Sequence, residues 1–130
     1  DFAHGDGLLM APTIAVSEML ARAGLALQDF DLYELHEAFA AQVLCTLKAW
    51  EDADYCRTVL GREAPLGAID RAKLNPRGSS LAYGHPFAAT GARILALAAK
   101  QMAMEGLRRA LISVCTAGGQ GVTAILERPA

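Results

Sequence analysis

The chain has 130 residues, of which 53% are hydrophobic and 20% are charged, and its formal net charge is −2 at pH 7. This composition predicts one compact domain with a buried core and excludes a disordered or fibrous chain. The small negative charge and the scattered basic residues give no reason to expect nucleic acid as a partner.

The N-terminal segment, residues 1–12, lacks the charged and apolar regions of a secretory signal. It begins without a methionine, so we expect the chain to be a piece of a longer protein. No apolar run in the sequence approaches the length of a membrane-spanning helix, and we therefore expect no membrane span.

The first half of the sequence predicts a helix, a strand and a second helix. Residues 12–23 carry apolar side chains at spacings of three and four, with a proline in the first turn and a glycine just past the end. Residues 29–35 alternate polar and apolar side chains, which is typical of a strand. Residues 37–50 return to a helical period. Its predicted buried face consists of Phe39, Val43, Leu47 and Trp50.

The middle of the sequence is less regular. Residues 52–66 are polar and interrupted by glycine and proline, which predicts a short helix followed by a loop. Residues 73–75 predict a short strand that ends at Pro76. Residues 78–86 are rich in small residues and in glycine and proline, which favours a loop.

The C-terminal third predicts a helix and a strand hairpin. Residues 90–104 have helical period, with Ile94, Leu95, Ala98 and Met102 facing inward. Residues 110–115 form the short apolar run of a buried strand, and residues 122–127 form the last strand. The link between these strands is too short for a parallel crossover, so they should pair as a hairpin. The predicted fold is α/β, with a mixed sheet flanked by helices in one domain over residues 1–130.

Two histidines lie where this fold would place a ligand. His36 follows a strand, at the edge where open α/β sheets bind ligands; it is either a helix-start residue bonded to backbone or a hydrogen-bond donor to a carbonyl oxygen that gains negative charge. His85 lies between Gly84 and Pro86 and is either an ordinary loop histidine or a general base, since imidazole ordinarily titrates near neutral pH.

The three cysteines show no paired spacing for disulfides or for zinc. We therefore expect no metal site and a reducing, cytoplasmic compartment. Cys115 ends a predicted buried strand and opens a glycine-rich turn, so it is either a small core residue or a thiol that transfers protons. Packing explains Cys45, inside the second helix, and Cys56 receives no role.

Three segments of the sequence resemble motifs of the thiolase family. Residues 36–39 are similar to the family's Asn-or-His-Glu-Ala-Phe box, residues 84–91 to its Gly-His-Pro loop, and residues 115–121 to its Cys-x-Gly-or-Ala-Gly-x-Gly turn. The order and separation of the three motifs fit the family's C-terminal domain, and the resemblance covers nearly the whole chain. Histidine in the first motif is similar to the branch that acts in fatty-acid β-oxidation.

The resemblance implies a role for each motif in reversible thiolysis or Claisen condensation of 3-ketoacyl-CoA. It implies that His85 deprotonates a nucleophilic cysteine, that Cys115 moves a proton at the α-carbon, and that His36 stabilises the enolate oxygen. The backbone N–H of Ala117 would contribute to a second oxyanion hole. The resemblance also implies that coenzyme A thioesters are substrates, that no cofactor is needed, and that the residues binding coenzyme A lie mostly elsewhere.

The resemblance further implies partners and departures. The family's nucleophilic cysteine lies in an N-terminal half that this sequence does not match, so this chain alone should not turn over. Expected partners are that N-terminal domain, further copies of the full-length chain, and a hydratase–dehydrogenase subunit. Ala117 and Ser79 stand where glycine is common in the family. The alternatives are a ketoacyl synthase, which lacks the second cysteine, and a non-catalytic thiolase-like module that binds lipids or supports an oligomer.

Overall fold

A three-stranded mixed sheet forms the centre of the computed structural model, which describes residue 5 and residues 7–129. Strand β1 (Leu32–Leu35) pairs in parallel with β2 (Arg109–Cys115), and β2 pairs antiparallel with β3 (Gly121–Glu127). The predicted α/β fold with a mixed sheet is confirmed, as is the hairpin of the last two strands. The predicted domain of residues 1–130 includes positions 1–4, 6 and 130, which lie outside the described residues.

Helices cover both faces of this sheet. They are α1 (Ala11–Ala23), α2 (Ala40–Glu51), α3 (Ala53–Thr58), α4 (Ser80–Tyr83) and α5 (Thr90–Glu105), with a 3₁₀ turn at Arg71–Lys73. Gly24 and Gly106 end α1 and α5 in the left-handed conformation, with φ of 65° and 70°, where a residue with a Cβ is strained. None of the helices in the described part of the chain is long and apolar enough to cross a membrane.

The sheet separates two hydrophobic clusters. On one face, Tyr33 and Leu35 of β1 pack in a cluster with α1 and α2, and on the other, Leu32 packs with α5. Because side chains alternate along a strand, Glu34 and the following His36 share the face of Leu32 and are directed towards α5. The strand therefore delivers both polar side chains to the edge of the α5 layer.

The predicted segments around the motifs differ from the structure in their boundaries. The second helix begins at Ala40 rather than at residue 37, so residues 36–39 link β1 to α2 across the edge of the sheet. The predicted strand at residues 73–75 is reduced to a bridge between Leu74 and Tyr33, because the 3₁₀ turn precedes it. The predicted loop at residues 78–86 contains the short helix α4.

The burial predicted from the sequence is wrong for some side chains. Phe39 precedes α2 and is exposed, and Leu95 is exposed while its neighbour Ile94 is buried. Cys45 is exposed on α2, so packing does not explain it. Cys56, by contrast, is buried, and its thiol donates to the carbonyl oxygens of α2 residues 49 and 50 at 3.5 Å each. Neither cysteine lies in the candidate site.

We expect Gly121→Ala to lower the free energy of unfolding by about 1–3 kcal/mol, the usual cost of overpacking. A Cβ at Gly121 would lie 2.9 Å from the backbone of Ala11, where β3 begins against α1. Urea unfolding of the chain measures the change. The matched control is Gly91→Ala on α5, where a Cβ meets nothing within 4 Å and alanine favours helix. Equal unfolding free energies for the two variants would contradict this close approach.

Candidate active site

Two histidines meet at the C-terminal end of β1. The rings of His36 and His85 lie with their centroids 4.2 Å apart and their planes tilted by 43°. His36 is 1% exposed, whereas His85 is exposed and contacts the ring of Phe87 at 5.0 Å between centroids. One imidazole is therefore buried in the protein and the other lies above it at the surface.

The position of His36 is set by backbone and by side chain. Its backbone N–H donates to the carbonyl oxygen of Ser113 at 2.8 Å, which extends the ladder between β1 and β2 by one residue. Its ring Nδ1 lies 2.7 Å from Oγ of Ser80 at the start of α4. With Nδ1 occupied, Nε2 is the ring nitrogen left to interact with a substrate.

The position of His85 is set by the start of α5. Nδ1 of His85 lies 2.7 Å from Oγ1 of Thr90, and that hydroxyl donates to the carbonyl oxygen of Pro86 at 3.2 Å. Since the Thr90 hydrogen points to Pro86, Oγ1 accepts from Nδ1–H of His85. In the neutral form of this ring, Nε2 of His85 then carries the lone pair that can accept a proton.

A side-chain network holds the loop that carries His85 against β1. Asn75 accepts from the N–H of Leu35 through Oδ1 and donates to the carbonyl oxygen of Leu35 through Nδ2, both at 2.9 Å. The same Nδ2 donates to Oε1 of Glu37 at 2.9 Å, and Oε2 of Glu37 accepts from the N–H of Leu81 at 3.0 Å. Asn75 thus continues the sheet edge in place of a strand, and Glu37 links that edge to α4.

Cys115 ends β2 at the same edge of the sheet. Ser113 pairs with Leu35 in the parallel register, so Cys115 lies level with the first residues after β1. Side chains alternate between the faces of a strand, so Cys115 shares the face of Leu111, four positions earlier. The cluster that contains Leu111 lies on the face of the sheet opposite to α5. The backbone N–H of Ala38, in the link across the edge, approaches its sulfur.

The thiol of Cys115 is buried, with 4% of the residue exposed. Burial raises the pKa of the Cys115 thiol, and the backbone N–H groups of Cys115 and Ala38 act in the opposite direction. Within the described residues, no hydrogen bond joins the thiol to either imidazole. The structure therefore brings His36 and His85 into contact. It sets Cys115 at the same edge of the sheet, but on the face opposite to His36 and beside the backbone of Ala38.

The turn after Cys115 uses some of its backbone donors internally and leaves the N–H of Ala117 without a partner among the described residues. The N–H of Thr116 donates to the carbonyl oxygen of Gln120 at 2.9 Å, and the N–H of Gly119 donates to Thr116 at 3.0 Å. The N–H of Ala117 has no acceptor in the described part of the chain. Positive φ among the described non-glycine residues is confined to Asn75 and Ala88, so Ala117 has an ordinary backbone conformation and alanine is tolerated there.

Burial favours the neutral form of two groups, Glu34 on β1 and His36 directly after it. Burial lowers the pKa of His36 from 6.5 to about 4, assisted by the charges of His85 and Arg93 and opposed by Glu37. Burial also raises the pKa of Glu34 from 4.5 to about 7, with Arg93 acting in the opposite direction. His36 is therefore a neutral imidazole at neutral pH and acts as a hydrogen-bonding group rather than as a cation.

The two pKa shifts imply opposite pH dependences of stability. For His36, whose folded pKa is below 6.5, the contribution is full above pH 6.5 and is lost as the pH falls towards 4. For Glu34, whose folded pKa is above 4.5, stability is lost as the pH rises from 4.5 to about 7. Each contribution amounts to about 3 kcal/mol, so the two largely cancel in the wild-type chain.

We expect Glu34→Gln to remove the pH-dependent contribution of Glu34 to stability and to leave that of His36. The free energy of unfolding of the variant should rise by about 3 kcal/mol between about pH 4 and 6.5, and should exceed that of the wild type above pH 7. Urea unfolding across this pH range measures both profiles, with Glu51→Gln on the exposed end of α2 as the control. Parallel pH profiles for Glu34→Gln and the wild type would contradict the raised pKa of the Glu34 carboxyl.

Sequence reasoning did not single out Asn75, Ser80, Glu34 or Arg93. Ser80 and Asn75 act on His36 and Leu35 over 44 and 40 positions, so no local pattern reports them. Glu34 carried a signal, because an acidic residue two positions before His36 shares its face of the strand. No cluster of three potential metal ligands occurs among the described residues.

Comparisons with known proteins identify the family of the chain. A family model described as thiolase, C-terminal domain, matches residues 3–128. The chain is 48% identical over 120 residues to a 3-ketoacyl-CoA thiolase of Pectobacterium atrosepticum and 43% identical over 122 residues to the mitochondrial trifunctional enzyme subunit beta of Bos taurus. These alignments cover 92% and 94% of the chain but 28% and 26% of the relatives, so the chain spans little more than a quarter of their length.

A solved structure gives the same result for the fold. The acetyl-CoA acetyltransferase of Syntrophomonas wolfei superposes with a TM-score of 0.79 at 29% sequence identity. The superposition covers 99% of this chain and 30% of that chain.

Proposed function

This chain belongs to the thiolase family, and from that premise we propose that it supplies the acid–base and oxyanion-binding groups of a thiolase active site. The reaction is reversible thiolysis of a 3-ketoacyl-CoA, or in reverse the condensation of two acyl-CoA molecules. The nucleophilic cysteine comes from the remaining, N-terminal part of the enzyme. The names of the two relatives support the substrate class. Because the chain spans about a quarter of their length, a nucleophile supplied by the remaining part of the enzyme is consistent with this coverage.

Thiolysis requires charge stabilisation and proton transfer at three atoms. In the proposed reaction Nε2 of His85 accepts the proton of the nucleophilic cysteine, whose thiolate attacks the 3-keto carbon. The bond between C2 and C3 breaks, and the enolate of the departing acetyl-CoA takes a proton at C2 from Cys115. Nε2–H of His36 donates to the enolate oxygen. The thiol of coenzyme A then gives its proton to the Cys115 thiolate and takes the acyl group from the nucleophilic cysteine, which recovers its proton from His85. Preorganised donors of this kind usually contribute about 10²–10³-fold in rate.

The observation that carries this proposal is the contact of His36 and His85 at 4.2 Å between ring centroids. The two rings have different partners, since Thr90 leaves an acceptor on His85 and Ser80 occupies Nδ1 of His36. A neutral buried imidazole is suited to donate to an oxyanion, and an exposed one is suited to accept a proton. The free N–H of Ala117 supports a second donor site for the acyl intermediate.

The proposal extends to partners and compartment. The relative from Bos taurus is named as a subunit of a trifunctional enzyme, which supports an assembly with a hydratase–dehydrogenase subunit in fatty-acid β-oxidation. We also propose a homo-oligomer of the complete enzyme and a reducing compartment, the cytoplasm. The cysteines at 45, 56 and 115 are all free thiols, which supports a reducing environment.

A chimera tests the function directly. This chain replaces the matching segment of the Pectobacterium atrosepticum thiolase, and chromatography follows the formation of acetyl-CoA from acetoacetyl-CoA and coenzyme A. We expect turnover, and we expect His85→Ala to lower kcat by about 10²–10⁴-fold. A folded chimera that binds acetoacetyl-CoA without cleaving it would contradict the proposal and favour a non-catalytic lipid-binding or oligomerisation module.

A further inference from the structure

A chain of polar groups behind His36 takes no part in the steps above. Nη2 of Arg93, in the first turn of α5, donates to Oγ of Ser80 at 3.0 Å, and Oγ of Ser80 lies 2.7 Å from Nδ1 of His36. Arg93 and Ser80 thus connect α5, α4 and the end of β1 through side chains alone. Ser80 is 6% exposed and His36 is 1% exposed, so solvent does not compete for these bonds.

The direction of each bond follows from the donor inventory. A guanidinium group has donors and no acceptor, so Ser80 accepts from Arg93. The hydroxyl hydrogen of Ser80 has Nδ1 of His36 as its sole acceptor among the described residues. Nδ1 is then an acceptor, and in a neutral imidazole the hydrogen must be on Nε2.

We propose that Arg93 and Ser80 are positioning residues that hold His36 in the Nε2–H tautomer, so that its donor faces the reacting carbonyl oxygen. The proposal rests on the proposed function for the identity of that oxygen, whereas the tautomer itself follows from the hydrogen bonds. His85, whose Nδ1–H donates to Thr90, has the opposite tautomer. Two hydroxyl groups, one on each side of the site, would thereby assign one histidine as donor and the other as base.

The surroundings of Arg93 keep its guanidinium in place. Its Nε and Nη1 are buried, and neither has a hydrogen-bond partner among the described residues. The guanidinium carbon lies 5.5 Å from the centre of the Tyr83 ring, within the range of a cation–π contact. Glu34 faces it from β1 with both oxygens buried, and the charge of Arg93 favours the ionised form of that carboxyl. Ser80 is then the one hydrogen-bond acceptor through which the described residues fix this cation.

Nitrogen NMR of the chain labelled with ¹⁵N-histidine reads the tautomer without any turnover. The sequence has three histidines, and His36→Asn assigns the signal of interest. We expect wild-type His36 to be the Nε2–H tautomer and Ser80→Ala and Arg93→Met to give a mixture of tautomers. Ser80→Thr retains the hydroxyl and should keep the wild-type signal. The control Arg77→Met removes an exposed guanidinium that pairs with Glu105, away from His36, and should change nothing.

Activity of the chimera provides the second readout. Ser80→Ala should lower kcat by about 2- to 10-fold with little change in KM, because only the fraction of His36 in the Nε2–H tautomer can donate to the transition state. Ser80→Thr should restore most of kcat. Wild-type His36 in the Nδ1–H tautomer, or an unchanged tautomer in folded Ser80→Ala and Arg93→Met chains, would overturn the proposal. An inactive wild-type chimera whose chain retains the Nε2–H tautomer would instead count against the proposed function alone.

Discussion

Replacing Cys115 with alanine in the chimera is expected to lower the rate of carbon–carbon bond cleavage and formation by about 10³-fold, within the usual range for one general acid–base group. Formation of the acyl-enzyme from acetyl-CoA should change by less than about tenfold, because no proton moves at an α-carbon in that half-reaction. The sulfur lies at the sheet edge beside the N–H of Ala38. Burial raises the pKa of this thiol, which suits the delivery of a proton to an enolate.

Single-turnover experiments separate the two half-reactions of the Cys115→Ala chimera. Release of coenzyme A from acetyl-CoA reports acylation, and formation of acetoacetyl-CoA reports condensation. Cys45→Ala is the matched control, since Cys45 is exposed on α2, away from the two imidazoles, and should leave both rates unchanged. Equal losses of acylation and condensation in Cys115→Ala would show that the thiol has a structural role and no part in moving the α-proton.

Replacing Asn75 with leucine is expected to lower the free energy of unfolding by about 4 kcal/mol. The side chain makes three hydrogen bonds, two of them to the buried backbone of Leu35, and leucine would leave those groups unpaired at about 1–3 kcal/mol each. Asn75 also has φ of 45°, a left-handed conformation that asparagine tolerates and leucine does not, at a further cost of about 1–2 kcal/mol.

Urea unfolding of the chain measures the effect of Asn75→Leu. The control Asn75→Gly also removes the hydrogen bonds, but glycine adopts the positive φ without strain. Its free energy of unfolding should therefore be about 1–2 kcal/mol higher than that of Asn75→Leu. If Asn75→Leu unfolds at the wild-type urea concentration, the network of Asn75 and Glu37 does not hold the His85 loop to the strand, and the account of how the two imidazoles meet is wrong.

Sequence patterns located the strand ends and motifs but not the contacts between them. The strand before His36 and the hairpin after Cys115 follow from local alternation and from a link too short to cross over, so both could be predicted. The contact of Ser80 with His36 joins residues 44 positions apart and depends on tertiary packing. A four-residue helix such as α4 has too few turns for a periodic signal.

The helical period alone could have corrected one of the two errors about helix faces. Val43 and Leu47 define the buried face of α2, and Cys45 lies two positions after Val43, which places it about 200° away around the helix. Its exposure thus follows from helical geometry rather than from its apolar neighbours in sequence. Leu95, in contrast, lies only about 20° around α5 from the buried Met102, so its exposure does not follow from the helical period.

The most direct test of the account is a crystal structure of the chimera with acetyl-CoA bound. We predict that the thioester oxygen lies about 3 Å from Nε2 of His36, with Nε2 of His85 and the sulfur of Cys115 both directed at the acyl group. An acyl group bound away from the end of β1, or a Cys115 sulfur shielded from it by the backbone at Ala38, would contradict the shared site.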